Sequence, residues 1–399
     1  MPKDRLFSTD YFFILISNFL FFFAFYLILP IFAMFLMEDF GVASASAGAI
    51  LSCYTVASLF MRAFSGYLVD SFPRKPLYLF GFVVFTLIFL GYAWAGALLF
   101  IILLRILHGL AFGLVSVGGN TIVIDITPSS RRGEAIGYYG LMNNFALCLG
   151  PMIGLFLHSA GWGYQSIFYF SLLSGALGII MASFVHTPYK PPLKRDPISL
   201  DRFILIRGLP CSLSLLLLAM PYGMTTTYVA LYAQQLGIHV STGLFFSFMA
   251  VGLGISRFSS GKQADRGRGL HVIQLGMILA IVVFILLASV QTLMGWQSRV
   301  AEILFFGSAL FMGISYGTMF PAFNTLFVNL APNSRRGTAT STYLTSWDVG
   351  IALGLLVGGW INDVTTFDHA YMLGTVVCII SALYFHFKVA PLYERYKLR

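Results

Sequence analysis

From Tyr11 to Leu36 the chain runs for 26 residues without one charged side chain. A helix needs about 20 predominantly apolar residues to cross the hydrocarbon core of a bilayer. Runs of this kind recur along the whole chain, broken by short clusters of Pro, Gly and charge. They predict helices over 11–36, 46–69, 77–95, 98–125, 134–158, 164–186, 208–234, 240–262, 270–292, 298–329, 337–362 and 368–388. The expected fold class is therefore all-α and integral to the membrane, with twelve transmembrane helices. Composition agrees: 58% of residues are hydrophobic, 10% are charged, and mean hydropathy is +0.85, far outside the range of soluble domains. No soluble domain fits between the helices. The first span is too long, and too closely followed by the next, for a cleaved signal peptide, so the N-terminus is expected to be retained.

Twenty of the 24 Lys and Arg residues fall on one side of these spans, including Lys3, Arg131, Arg132, Arg335, Arg336 and Arg399. By the positive-inside rule that side is cytoplasmic, which puts both termini there and the protein in a bacterial-type inner membrane. The opposite side carries Glu38, Asp39, Glu302, Asp363 and Asp368 against Arg299 alone. Topology and anionic lipid headgroups thus account for the net charge of +9, and no nucleic-acid partner is called for. Cys53, Cys148, Cys211 and Cys378 sit singly within apolar spans and read as inert small hydrophobes. The seven His are scattered, so no metal site is expected.

The stretch TPSSRRGEAIGYYGLMNNFALCLG from Thr127 aligns without a gap on APNSRRGTATSTYLTSWDVGIALG from Ala331, an offset of 204 residues. At the same offset Gly109 matches Gly313, Gly113 matches Gly317 and Asn120 matches Asn324. A second echo pairs RAFSGYLVD from Arg62 with RFSSGKQAD from Arg257. Six spans precede the Pro-rich, charged stretch that begins at His186, and six follow it. The expected organisation is a six-helix half over 1–186, a cytoplasmic linker over 187–206 and a second six-helix half over 207–399. Parallel repeats of this kind build a substrate site at their interface near the bilayer midplane in a large class of secondary transporters. One chain already contains both pseudo-symmetric halves, so it is expected to work as a monomer.

Between the second and third helices stands GYLVDSFPRK, which resembles the signature GxLaDrxGRK of the major facilitator superfamily, with Gly66, Leu68, Asp70, Arg74 and Lys75 matching. Ser71 and Pro73 depart from it. A weaker copy, GKQADRGRG, keeps Gly261, Asp265 and Arg266. Within that superfamily the chain resembles twelve-span proton-coupled exporters of drugs and small molecules. The resemblance implies a cytoplasmic gate in which Gly66 allows close helix contact, Asp70 sits at a helix N-terminus where the dipole favours an anion, and Arg74 bridges to Asp125.

The fourth helix carries RILHGLAFG, similar to the family pattern RxxqG, with Arg105, His108 in place of the usual Gln, and Gly109. An intramembrane Arg is costly unless it faces a wet or paired interior. In the family this Arg is implicated in proton coupling; a structural hydrogen-bond hub is the alternative. An imidazole ordinarily titrates in the range such coupling uses, so His108 joins the candidates. The fifth helix ends in ALCLGPMIGL, similar to the exporter signature gxxxGPxxGG at Gly150, Pro151 and Gly154, with Ala146 and Leu155 replacing glycines. Proline bends the helix there and the small residues allow close approach.

Asp348 takes the place of Asn144 in the second copy of the repeat, inside the eleventh helix and roughly 16 Å from its start. Desolvation disfavours a carboxylate's charged form, so a carboxyl group at that depth can take up and release protons. Protons, rather than a bound cofactor, are then the coupling species. A buried Asp held by Ser346, Trp347, Thr345, Arg62 or Arg257 is the competing reading. Asn18, Tyr26, Tyr139, Asn143, Asn144, Tyr222, Thr225, Tyr228, Tyr316 and Asn324 are the polar and tyrosine positions expected to line an aromatic cavity suited to amphipathic ligands. Arg62 and Arg257 either attract an anionic substrate or snorkel toward the cytoplasm. The sequence thus points to export of a small amphipathic compound by proton antiport. Symport of an anionic metabolite or sugar is the alternative. No nucleophile, metal cluster or paired carboxylates at one depth suggests an enzyme.

Overall fold

The computed structural model describes residues 6–128, 131–188, 204–238, 240–264, 269–331 and 336–397. Among them the regular structure is helical throughout, without a strand. The helices are α1 (Thr9–Leu27), α2 (Leu29–Phe40), α3 (Ser44–Ser71), α4 (Arg74–Ala93), α5 (Leu98–Ile126), α6 (Arg132–Ser159) and α7 (Tyr164–Ser183). They are followed by α8 (Leu209–Gln235), α9 (Gly243–Ala264), α10 (Gly269–Met294), α11 (Ser298–Asn329), α12 (Arg336–Val364), α13 (Phe367–Tyr384) and α14 (Ala390–Tyr396). Among the described residues eleven helical segments are long and apolar enough to cross a membrane, and the apolar part of α9, Gly243–Ser256, is shorter.

Two expected boundaries change. The first span is divided at Ile28, whose N–H turns back to the Tyr26 carbonyl, and it runs on to Phe40. Pro30 explains the break: it has no N–H to donate and its ring crowds the carbonyl four residues before it. The last span passes through a π-helical turn, Phe385–Val389, into α14. Pro391, near the start of α14, cannot supply the i→i−4 bond that an unbroken helix would need there.

The chain divides into two compact units. Residues 1–35 and 53–196 form the first, and residues 36–52 and 197–399 the second. The expected linker lies mostly in 189–203, outside the described residues. In the first unit α1 packs on α6 and α7, α4 packs on α5 and α7, and α5 touches α6. In the second, α8 packs on α12 and α13, α10 packs on α11 and α13, and α11 touches α12. These five pairings are the same five, span for span, so the sequence repeat is also a packing repeat.

Both units are inside out by the standard of a soluble protein. Phe80, Val83, Leu87 and Leu90 form an exposed apolar stripe on α4, and Met372, Val376, Ile379 and Leu383 form one on α13. Arg105, His108, Ser171, Thr225 and Ser308 are buried instead. A solvent of lipid tails reverses the usual preference, because polar groups there find partners only inside the protein.

Candidate functional site

Asp348 is the thirteenth of the 29 residues of α12 and is partly buried. The residue before it anchors an aromatic cluster drawn from three helices of the second unit. The Trp347 ring lies 4.2 Å from that of Phe320 on α11 and 4.9 Å from that of Tyr222 on α8, centroid to centroid. Tyr222 and Tyr316 are 4.8 Å apart, and Tyr316 donates its hydroxyl proton to the Leu218 carbonyl at 2.8 Å. The expected residues Tyr222 and Tyr316 are thus joined by Phe320 and Trp347, which sequence reasoning did not select, and Asp348 follows Trp347 on α12. Their only signal was position: Trp347 adjoins the acid, and Phe320 lies one turn beyond Tyr316.

Pro221 lies inside α8 beside Tyr222 and has no N–H to give to the carbonyl four residues earlier. One turn on, Thr225 donates its hydroxyl to Pro221 O at 2.7 Å. Thr225 is fully buried in that bond. Tyr228, further along α8, donates to Leu355 O at 3.1 Å and Ser44 O at 3.3 Å, away from Trp347. Asn324 leaves a buried amide oxygen without a hydrogen-bond partner among the described residues.

The first unit has a different centre. Arg105 is 2% exposed, and its guanidinium carbon stands 4.8 Å from the Phe32 ring centroid and 5.1 Å from that of Tyr54. Standing over two aromatic rings offers a desolvated guanidinium roughly 1–2 kcal/mol apiece, which lightens the cost of keeping it in a membrane protein's core. One turn on, His108 is fully buried with Nδ1 3.1 Å from the Tyr92 hydroxyl. Phe85, Phe89, Phe25 and Tyr54 enclose its ring, and its Nε2 has no hydrogen-bond partner among the described residues. Arg105 and His108 are therefore brought together, in a cage of aromatic rings.

Other candidates of this unit lie in its packing. Asn18 donates to the Tyr139 carbonyl at 2.9 Å, pinning α1 to α6, and both residues are buried. Tyr26 stacks on Phe22. Asn144 is partly buried, and Asn143 beside it carries a buried, unpartnered amide oxygen among the described residues. Around Pro151, Gly150 and Gly154 seat α6 on the end of α1: a Cβ at Gly154 would stand 2.1 Å from the Leu27 carbonyl oxygen. Gly354 does the same for α12, where a Cβ would stand 2.0 Å from the Met220 oxygen of α8.

Comparison with known proteins settles what this architecture is. The family model described as Major Facilitator Superfamily matches residues 14–301 and 284–397. The chain belongs to the Major Facilitator Superfamily. It is similar to the staphylopine export protein of Staphylococcus aureus (strain Mu50 / ATCC 700699), at 22% identity covering 93% of this chain and 94% of that one. The quinolone resistance protein NorA of Staphylococcus aureus (strain MSSA476) is 26% identical, covering 92% and 96%. The crystal structure of the nucleoside transporter NupG shares the fold with a TM-score of 0.75, at 15% identity over 95% of this chain and 98% of that one. As a Major Facilitator protein the chain is a multi-pass membrane transporter of small molecules and not an enzyme.

The superfamily's signature loop is partly described. Arg74, opening α4, donates through Nη1 to Asp125 Oδ2 at 2.5 Å near the end of α5, and the Asp125 side chain is 3% exposed. Lys75 donates to the Ser183 carbonyl at 2.7 Å, at the end of α7. This corner of the Major Facilitator fold thus draws three helices together by charge-assisted bonds. The side chains of Asp70 and Arg257, and all of Asp265 and Arg266, lie outside the described residues, while Gly66 and Gly261 are placed by backbone alone on α3 and α9. Arg62 is partly buried on α3.

Proposed function

We propose that this transporter exports a small amphipathic organic compound in exchange for protons, by alternating access. The observation that carries the reading is Asp348, a carboxyl group half-way along a membrane helix and adjoining the Tyr222, Tyr316, Phe320 and Trp347 cluster. A carboxyl group that binds a proton and a substrate competitively couples their gradients, because each displaces the other. The aromatic cluster supplies broad, orientation-tolerant contact for an apolar body. Two relatives bear the names of export and resistance proteins, which supports the outward direction. Arg105 and His108 are proposed to tune proton binding, and the Arg74–Asp125 corner to close the cytoplasmic gate. The same reading has the protein in an inner membrane with cytoplasmic termini, acting as a monomer without nucleic acid or bound cofactor.

The test is proton flux in proteoliposomes acidified inside, with a lipophilic cation, a quinolone, a neutral drug and an organic anion added in turn. We expect one of them to discharge the gradient with wild type and not with Asp348→Asn. Equal discharge by both proteins would assign Asp348 to structure. Arg105, a buried cation, favours a second reading, symport of an anionic metabolite; acidification driven by an organic anion and lost in Arg105→Gln would establish it.

A further inference from the structure

Residues 36–52 belong by sequence to the first six-helix repeat, yet in space they group with the second unit. The reason lies at the start of α3. Its first helical bond runs from Ala47 N–H to Ala43 O, so Ala43 holds the N-cap position, where an alanine has no side-chain acceptor to offer. The exposed N–H groups are satisfied from far away. Asp363, near the end of α12, accepts from Ser44 N through Oδ1 and from Ala45 N through Oδ2, each at 2.7 Å. Its charge also faces the positive end of the α3 dipole. Asn362 donates to Ser44 Oγ at 2.8 Å, and Gln235, ending α8, donates to Asn362 Oδ1 at 2.8 Å.

Below this cap the two helices fit closely. A Cβ at Gly359 would stand 2.3 Å from Ser44 O, and one at Gly48 would stand 2.4 Å from Leu355 O. The Ser52 hydroxyl, 4% exposed, donates to Gly48 O of its own helix at 2.7 Å and lies 3.1 Å from Ala352 O. Asp348, Ala352, Leu355, Gly359 and Asp363 follow one another at spacings of four, three, four and four residues, so they share one face of α12. Ala352, Leu355, Gly359 and Asp363 on this face hold the first turns of α3, and Asp348 lies one turn before them. At the equivalent place in the first repeat, 204 residues earlier, stands Ser159, whose hydroxyl bonds to Phe156 of its own helix.

We propose that Asp363, with Asn362 and Gln235, is a latch on the first turn of α3 that opens and recloses in each transport cycle. The proposal rests on the alternating-access reading and is independent of direction, substrate and coupling ion. Two backbone bonds and a dipole contact make a latch strong enough to hold and weak enough to release, since a helix cap shifts an equilibrium by roughly two- to thirty-fold.

The test is labelling of Ser52→Cys, in a Cys53→Ala background, by a membrane-impermeant maleimide, with modified peptides quantified by mass spectrometry. We expect slow labelling with Asp363 intact, labelling at least five-fold faster with Asp363→Ala, and slow labelling regained with Asp363→Glu. The buried native thiols Cys148, Cys211 and Cys378 report unfolding and are expected to stay unlabelled. If Asp363→Ala unfolds, Asn362→Ala and Gln235→Ala take its place, with about a two-fold rise expected. Unchanged Ser52→Cys labelling in variants whose native thiols stay protected would overturn the latch. Because no substrate enters this assay, its failure is distinct from a failure of the proton-flux experiment.

Discussion

Asp125 buries a carboxylate against a guanidinium that is itself only one-fifth exposed, and such a pair is worth more to break than to make. Asp125→Ala leaves Arg74 without its anion, and we expect a loss of about 2–3 kcal/mol, read as a lower unfolding temperature in detergent. Asp125→Asn keeps one hydrogen bond and should recover part of it. That pairing was legible in the sequence through the family resemblance, which implies that Arg74 of the signature loop bridges to Asp125. The aromatic partners could not: Phe320 and Trp347 are two of the many large apolar side chains in a chain with 40 Phe, and only the helix packing selects them. Asn18 and Thr225 illustrate the opposite case. Their polarity marked them as cavity residues, and the Asn18 amide and Thr225 hydroxyl donate to backbone carbonyls, a demand that polar side chains buried in a membrane protein have to satisfy.

At the scale of helices, the glycines of α12 and α6 set how near each comes to its neighbour. Gly354→Ala would drive a Cβ into the Met220 carbonyl oxygen, 2.0 Å away, which no rotamer change relieves. We expect about 1–3 kcal/mol of destabilisation from this one methyl. Gly140→Ala on α6 meets nothing within 4 Å, so the better helix former should leave stability unchanged or raise it by up to about 1 kcal/mol. Thermal unfolding of the two variants side by side checks whether spacing or propensity governs these helices. The helix starts and ends were readable to within a few residues, since apolar length and charged punctuation determine them. The division at Ile28 escaped notice because Pro30 was embedded in an uninterrupted apolar run.

At the scale of the molecule, lipid-facing stripes make the exterior a folding determinant in its own right. Leu87 is 56% exposed on α4, and at such a position in a soluble protein a charge would be tolerated. Here Leu87→Arg should cost about 2.5–3.5 kcal/mol of insertion, with reduced membrane-inserted yield as the measurement. The repeat was visible in sequence through motif residues, but the transfer of residues 36–52 to the second unit was not, since no pattern in that stretch announces its partner. That transfer has a consequence in time. Ser44 and Asp363 are 319 residues apart, and a ribosome adding roughly 5–20 residues per second needs about 15–60 s to cover that distance. For that interval the start of α3 is made, inserted and still uncapped. The chain's earliest hairpin is completed by almost its last helix, so any pause or truncation late in translation is felt at the beginning of the protein.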